Sequence, residues 1–265
     1  MTTFRIVKIV YALLALLSLA ALAYSLLHGR WFPAFAYVMA LVTLGLLLSA
    51  QVRAARERFI REQPLPSFLK AKLRMQHAGF TAKDGDLVEA GLRQFFWANA
   101  RSRGQFVAMP SKIADEMWHE FILHTRAYDA WCKRAFGKLL HHTPAIALGP
   151  AAAHNDGLRR AWFWACKDEG IDPRLPTRLP LLFALDRKLA IAGGFHYVPD
   201  CNDIARKSDA GGDGGVLFCG TAFSDASGAS GDASDFGGAD AGHGSGDAGG
   251  DGGGDGGGGC GGGGD

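Results

Sequence analysis

MPSKIADEMWHEFILHTRAYDAWCKRAFGKLLHHTP, residues 109–144, is the stretch on which the reading of the fold turns. It holds four of the nine histidines and two of the six tryptophans. Pro110 and Ser111 are helix-start residues, Asp115 and Glu116 fall in the first turns where the helix dipole favours negative charge, and Gly137 is placed to stop the helix. The pattern predicts one long helix from Ser111 to Phe136. On a wheel of about 100° per residue, Ile113, Met117, Phe121, His124, Tyr128, Trp131 and Cys132 form one stripe, the expected buried face, with His124 inside it. A core histidine there needs a hydrogen-bond partner more than a ligand.

The same wheel separates His119 from His124. Five residues put them about 140° apart, so a straight helix cannot bring both to one ion, unlike the four-residue spacing of HExxH. His119 instead shares a side with Asp115, one turn earlier. His141 and His142 follow the glycine stop and precede Pro144, on a turn from which one can swing back towards His119. The metal reading therefore takes His119 with His141 or His142 as ligands to a zinc or iron ion, and Asp115 and Glu116 as orienting carboxylates. The bland alternative is an Asp–His hydrogen bond and solvated turn histidines.

Working outward, the chain divides into three segments of unlike composition. The formal net charge is +2, but no Lys or Arg follows Lys207, whereas ten Asp do. A basic body faces an acidic tail. Residues 1–56 are read as a transmembrane hairpin: uncharged apolar runs over 9–27 and 31–52 are each about one bilayer long, with Trp31, Phe32 and Tyr37 suited to an interfacial end. Arg5 and Lys8 precede the first run and Arg53, Arg56, Arg58 and Arg61 follow the second, against Arg30 alone between them. The positive-inside rule then places both termini in the cytoplasm of a two-pass inner-membrane protein. The rival is a signal peptide cleaved after Ala21-Leu22-Ala23, which the continuing apolar run disfavours.

Residues 57–207 are read as a compact helical domain. Pro64 and Pro66 stiffen the exit, Ser67 opens a helix to about His77, and Thr81 followed by Asp84, or Asp86 itself, starts a core helix carrying Val88, Leu92, Phe95 and Phe96. Asn155 or Asp156 caps a helix with Trp162 and Cys166 on its apolar side; Pro180 opens a last helix, and Phe195 to Val198 reads as a short strand or extended segment. Residues 208–265 hold 25 of the 37 glycines and are expected to be disordered, Val216–Cys219 being the one sticky patch. The five cysteines are widely spaced with no CxxC, which predicts free thiols in a reducing compartment. Cys132 would serve redox chemistry only if exposed and of low pKa. Phosphate-binding, GxSxG and HExxH motifs are absent from the sequence, and nucleic acid is not an expected partner.

Residues 106–144, together with GIDPRLPTRLPLLFALD (170–186) and GGFHYVPDC (193–201), closely resemble an uncharacterised bacterial family of membrane proteins with glycine-rich C-termini. The Trp118-His119 core, with Asp115 before it and Tyr128 and Cys132 after it, is more distantly similar to the glycine-rich domain-containing proteins of plants and fungi. The resemblance implies a second histidine two residues after His119, where this chain has Phe121. It implies no reaction. The expectation is a membrane-anchored helical interaction or scaffold protein with an unknown protein partner; the alternative is a metal-binding domain or metal-dependent enzyme centred on His119.

Overall fold

α1 (Thr2–Leu27) and α2 (Trp31–Glu62) pack against each other across a turn in which Gly29 takes φ +66°. The computed structural model describes residues 2–142, 156–200 and 217–223, the side chains of 2–10 and of Leu217 excepted, and the described residues are mainly helical. α2 does not end at Val52 as the apolar run suggests but continues to Glu62. Its last turns, RAARERFIRE, are rich in Ala, Arg and Glu, good helix formers, and Ile60 is fully buried in the domain core. Among the described residues α2 is the one helix long and apolar enough to cross a membrane, and hardly any of that run is buried within the protein. Phe32 is 87% exposed and Leu46 64%, so water has no protein surface to drive them onto.

α3 (Ser67–Gln76) and α4 (Ala82–Arg101) follow, and α4 is the centre of the domain, touching α2, α3, α5 (Lys112–Leu123), α7 (Asp156–Asp168) and α8 (Leu181–Lys188). Of the two expected starts it takes the first, a capping box: the Thr81 backbone N–H donates to Asp84 Oδ2 at 2.8 Å and the Asp84 N–H to Thr81 Oγ1 at 3.3 Å. Val88, Leu92, Phe95 and Phe96 are buried along it. Gly91 lets Leu185 of α8 come against the helix backbone, where any Cβ would collide with the Leu185 side chain. Glu89, buried in the same helix, accepts from the Leu65 N–H (2.8 Å) and pairs with Lys70 (2.8 Å), which raises the Lys70 pKa.

The predicted single helix Ser111–Phe136 is two helices. α5 ends at Leu123, His124 sits between them at φ −86°, ψ 60°, and α6 runs Thr125–Ala135. Ten residues of straight helix would hold Trp118 and Tyr128 about 15 Å apart along the axis. The break brings Trp118 Nε1 to 3.0 Å from Tyr128 Oη, and Phe121 and Tyr128 into ring contact. His124 consequently leaves the core: it is exposed, its ring lies on Phe68 at 4.0 Å, and its Nδ1 bonds to the Glu120 carbonyl. No Gly or Pro marks the break; the aromatic contacts on its two sides favour it.

The start of α5 is pinned from α8. The buried carboxylate of Asp186 accepts from Ser111 Oγ (2.7 Å), Lys112 N (2.8 Å), Ile113 N (3.2 Å) and Phe195 N (2.8 Å). An acceptor at a helix N-terminus satisfies donors that the helix itself leaves free. Beyond α8, β1 (His196–Val198) pairs in parallel with β2 (Leu217–Cys219), followed by a 3₁₀ turn, Gly220–Phe223. Of the sticky patch, Val216 lies outside the described residues, Phe218 is partly exposed beside Tyr197 and Cys219 is buried, while Phe223 beyond it is buried against Trp162, Phe183 and Tyr197. The rest of the glycine-rich segment, 208–216 and 224–265, lies outside the described residues. Cys132 and Cys166 are free and buried, whereas Cys219 is disulfide-bonded, contrary to the expectation of free thiols throughout.

Candidate functional site

α5 presents Asp115 and His119 one turn apart, so their side chains meet on one side of the helix. His119 Nδ1 lies 2.8 Å from the Asp115 carbonyl and 3.4 Å from Asp115 Oδ2. A proton on Nδ1 donated to that carbonyl leaves Nε2 with its lone pair, the state in which imidazole ligates metals. His119 is 53% exposed.

The segment after α6 comes back over this pair. Gly137 takes φ +81° and donates to the Cys132 and Lys133 carbonyls, a left-handed helix stop of the kind glycine permits. Tyr128 then fixes the returning chain: its hydroxyl donates to the Leu140 carbonyl at 2.6 Å and accepts from Trp118 Nε1 at 3.0 Å. Two residues on, His142 Nε2 reaches Asp115 Oδ1 at 3.1 Å, and the His142 ring lies 4.2 Å from that of His119 and 4.7 Å from Trp118. Asp115, His119 and His142 each offer one ligand atom within 4.8 Å of the others. Ligands about 2.1 Å from one tetrahedral ion lie about 3.4 Å apart, so ligand atoms spread over as much as 4.8 Å must close up to hold one ion.

The other expected participants are elsewhere. His141, next in chain to His142, borders a cavity that Trp118 also lines. Glu116 points away from the triad and pairs with His77 of the α3 C-terminus at 2.7 Å, where His77 also stacks on Phe80. His124 takes no part. Asp115, expected to orient the ligands from behind, stands between the two histidines. Cys132 does not meet the requirement for a redox thiol: it is buried, and burial pushes its thiol up, away from the thiolate form. Tyr128 is likewise pushed up by burial, so it stays a phenol able to donate to Leu140.

Sequence reasoning missed Tyr128 and Trp118 as the residues that hold His142 in place. A signal existed, since a tyrosine on a buried stripe brings a hydroxyl that must find a partner. No curated protein and no solved structure matches the chain. A family model does match, across residues 55–223, a span that takes in every element from the end of α2 to the 3₁₀ turn after β2. The chain belongs to the UCP032817-like family, an uncharacterised one.

Proposed function

We propose that this chain is a membrane-anchored helical domain that binds a divalent metal ion, zinc or ferrous iron, through Asp115, His119 and His142. The observation that carries the reading is the convergence of one carboxylate and two imidazoles from two separate segments within 4.8 Å. Two histidines and a carboxylate are a donor set used for zinc and for non-haem ferrous iron, and three protein ligands leave a position for water or substrate. The exposure of His119 puts that position towards solvent. An ion there would act as a Lewis acid on what it binds; the residues around it supply orientation, with the Asp115 carbonyl holding His119 and the Tyr128–Leu140 bond holding His142.

Elemental analysis of the purified full chain, alongside His119→Ala, His142→Ala and Asp115→Asn, tests this. Near-stoichiometric zinc or iron in the parent, lost in all three variants, is the expected result. A folded parent that takes up neither zinc nor, anaerobically, ferrous iron would sink the metal reading. It would leave the second one, a scaffold that binds a protein partner, which Met75 (81% exposed) and Leu123 (73% exposed) favour as large apolar side chains left in solvent.

For the anchor, the proposal is a two-pass hairpin of α1 and α2 in a bacterial inner membrane, with both termini cytoplasmic. The apolar, unburied surface of α2 and the Arg cluster after Val52 support it. The Cys219 disulfide points the other way, since such bonds persist mainly in oxidising compartments. A topology reporter fused after Asp203 decides: activity confined to the cytoplasm is expected, and activity confined to the periplasm would reverse the orientation.

A further inference from the structure

Where α2 leaves its apolar run, an open cavity of about 570 Å³ lies between α2, the end of α4 and the segment after α6. Its walls are apolar: Phe106, Val107, Trp118, Phe136, Leu139 and Leu140. Phe106 and Leu139 are 41% and 38% exposed, apolar side chains at its mouth. The cations that border it are Arg53, Arg56, Arg103 and Lys138, and among the described residues none of the four is in an ion pair. The one carboxylate in the lining, Glu57, is already taken by Arg101 at 3.0 Å. The result is an apolar hollow with a net positive rim, and Arg53 follows immediately on the apolar residues of α2.

We propose that this cavity binds a single-chain anionic lipid, a fatty acid or lysophospholipid, with its acyl chain against Phe106, Phe136 and Leu139 and its carboxylate or phosphate among Arg53, Arg103 and Lys138. Three features select this class. The volume suits one chain and falls well within the range of small-molecule sites. The unpaired cations favour an anionic head and disfavour a neutral one. The position beside the charged end of α2 is that of a headgroup layer, so a lipid enters sideways from the leaflet; this last point rests on the membrane anchoring proposed above.

The experiment uses the full chain in nanodiscs of neutral phosphatidylcholine and a fatty acid carrying a terminal diazirine, photolysed and mapped by mass spectrometry. Label on the peptides containing Phe106 to Met109 and Phe136 to Leu140 is expected. It should fall about tenfold in the Arg103→Gln/Lys138→Gln double variant, both exposed positions that the fold does not need, and also for the corresponding fatty alcohol. The exposed Lys188→Gln change, outside the cavity, should leave it unchanged, and inorganic phosphate should not displace it. Label confined to Tyr11–Val52, equal labelling by acid and alcohol, or indifference to the double variant would overturn the assignment. Carbonate extraction of the membrane fraction reads the anchoring separately: protein released by carbonate that still takes the probe in solution would sink the anchor and support the cavity.

Discussion

At the scale of single residues, Tyr128 joins the two halves of the site. Tyr128→Phe removes the donor to the Leu140 carbonyl and the acceptor for Trp118 Nε1, leaving two polar groups without their partner. The expected cost is about 1–3 kcal/mol in chemical denaturation. If the hydroxyl also holds His142 against Asp115, zinc affinity in a competition titration falls about tenfold or more; unchanged affinity would show that His142 is positioned without it. Asp186→Ala leaves four donors facing nothing, Ser111 Oγ, Lys112 N, Ile113 N and Phe195 N, and should cost on the order of 3–5 kcal/mol. A loss below about 1 kcal/mol would mean that water replaces the carboxylate. The Asp115–His119 neighbourhood was legible from spacing, because a one-turn separation on a helix fixes which side chains meet. The roles of Asp186 and His142 were not: both depend on a chain return that no local pattern encodes, and nothing in the sequence distinguishes His142, which faces the triad, from His141, which faces the cavity.

Among the elements, the start of α4 was readable as one of two choices, Thr81 with Asp84 or Asp86 itself, and the α5–α6 break was not readable at all. Thr81 and Asp84 are a local signal that operates within four residues, and the observed box is the one the spacing predicts. Asp84 accepts from the Thr81 backbone N–H and hydroxyl, which together lower its pKa from the ordinary 3.8. A carboxyl held lower in the folded chain binds its proton more readily when unfolded. Its stabilisation is therefore present above the unfolded-state value and is lost as pH falls through the folded one. Denaturation free energies of the parent and Thr81→Ala, followed from about pH 5 to below 3, should converge as acid is added; a constant gap would mean the box contributes nothing through its charge. The α5–α6 break, by contrast, is a tertiary decision. Both halves carry apolar residues in helical register, and the wheel cannot see that Trp118, Phe121, Tyr128 and Trp131 pack more tightly when the axis turns at His124.

For the whole molecule, composition gave the mainly helical class and the apolar N-terminal region but placed the end of order too early. Gly and Asp hide the short run of β2 and the lone Phe223, whose ring completes the aromatic cluster around Trp162. A chain truncated after Gly215 should lose about 2–4 kcal/mol from the missing Phe223 and the Trp162 surface it covers, while one truncated after Ser224 should keep the stability of the parent. Equal stability of the two by chemical denaturation in detergent would place β2 and the turn outside the cooperative unit. The uninterrupted course of α2 has its own consequence. A rod with its lower turns clamped by Ile60 in the core and its upper turns packed on α1 has no joint between them, so the domain cannot swivel independently. If α2 spans a bilayer as proposed, any change in bilayer thickness that leans the rod leans the domain with it, and the histidines of α5 tip towards or away from the lipid surface as the needle of a gauge follows its spindle.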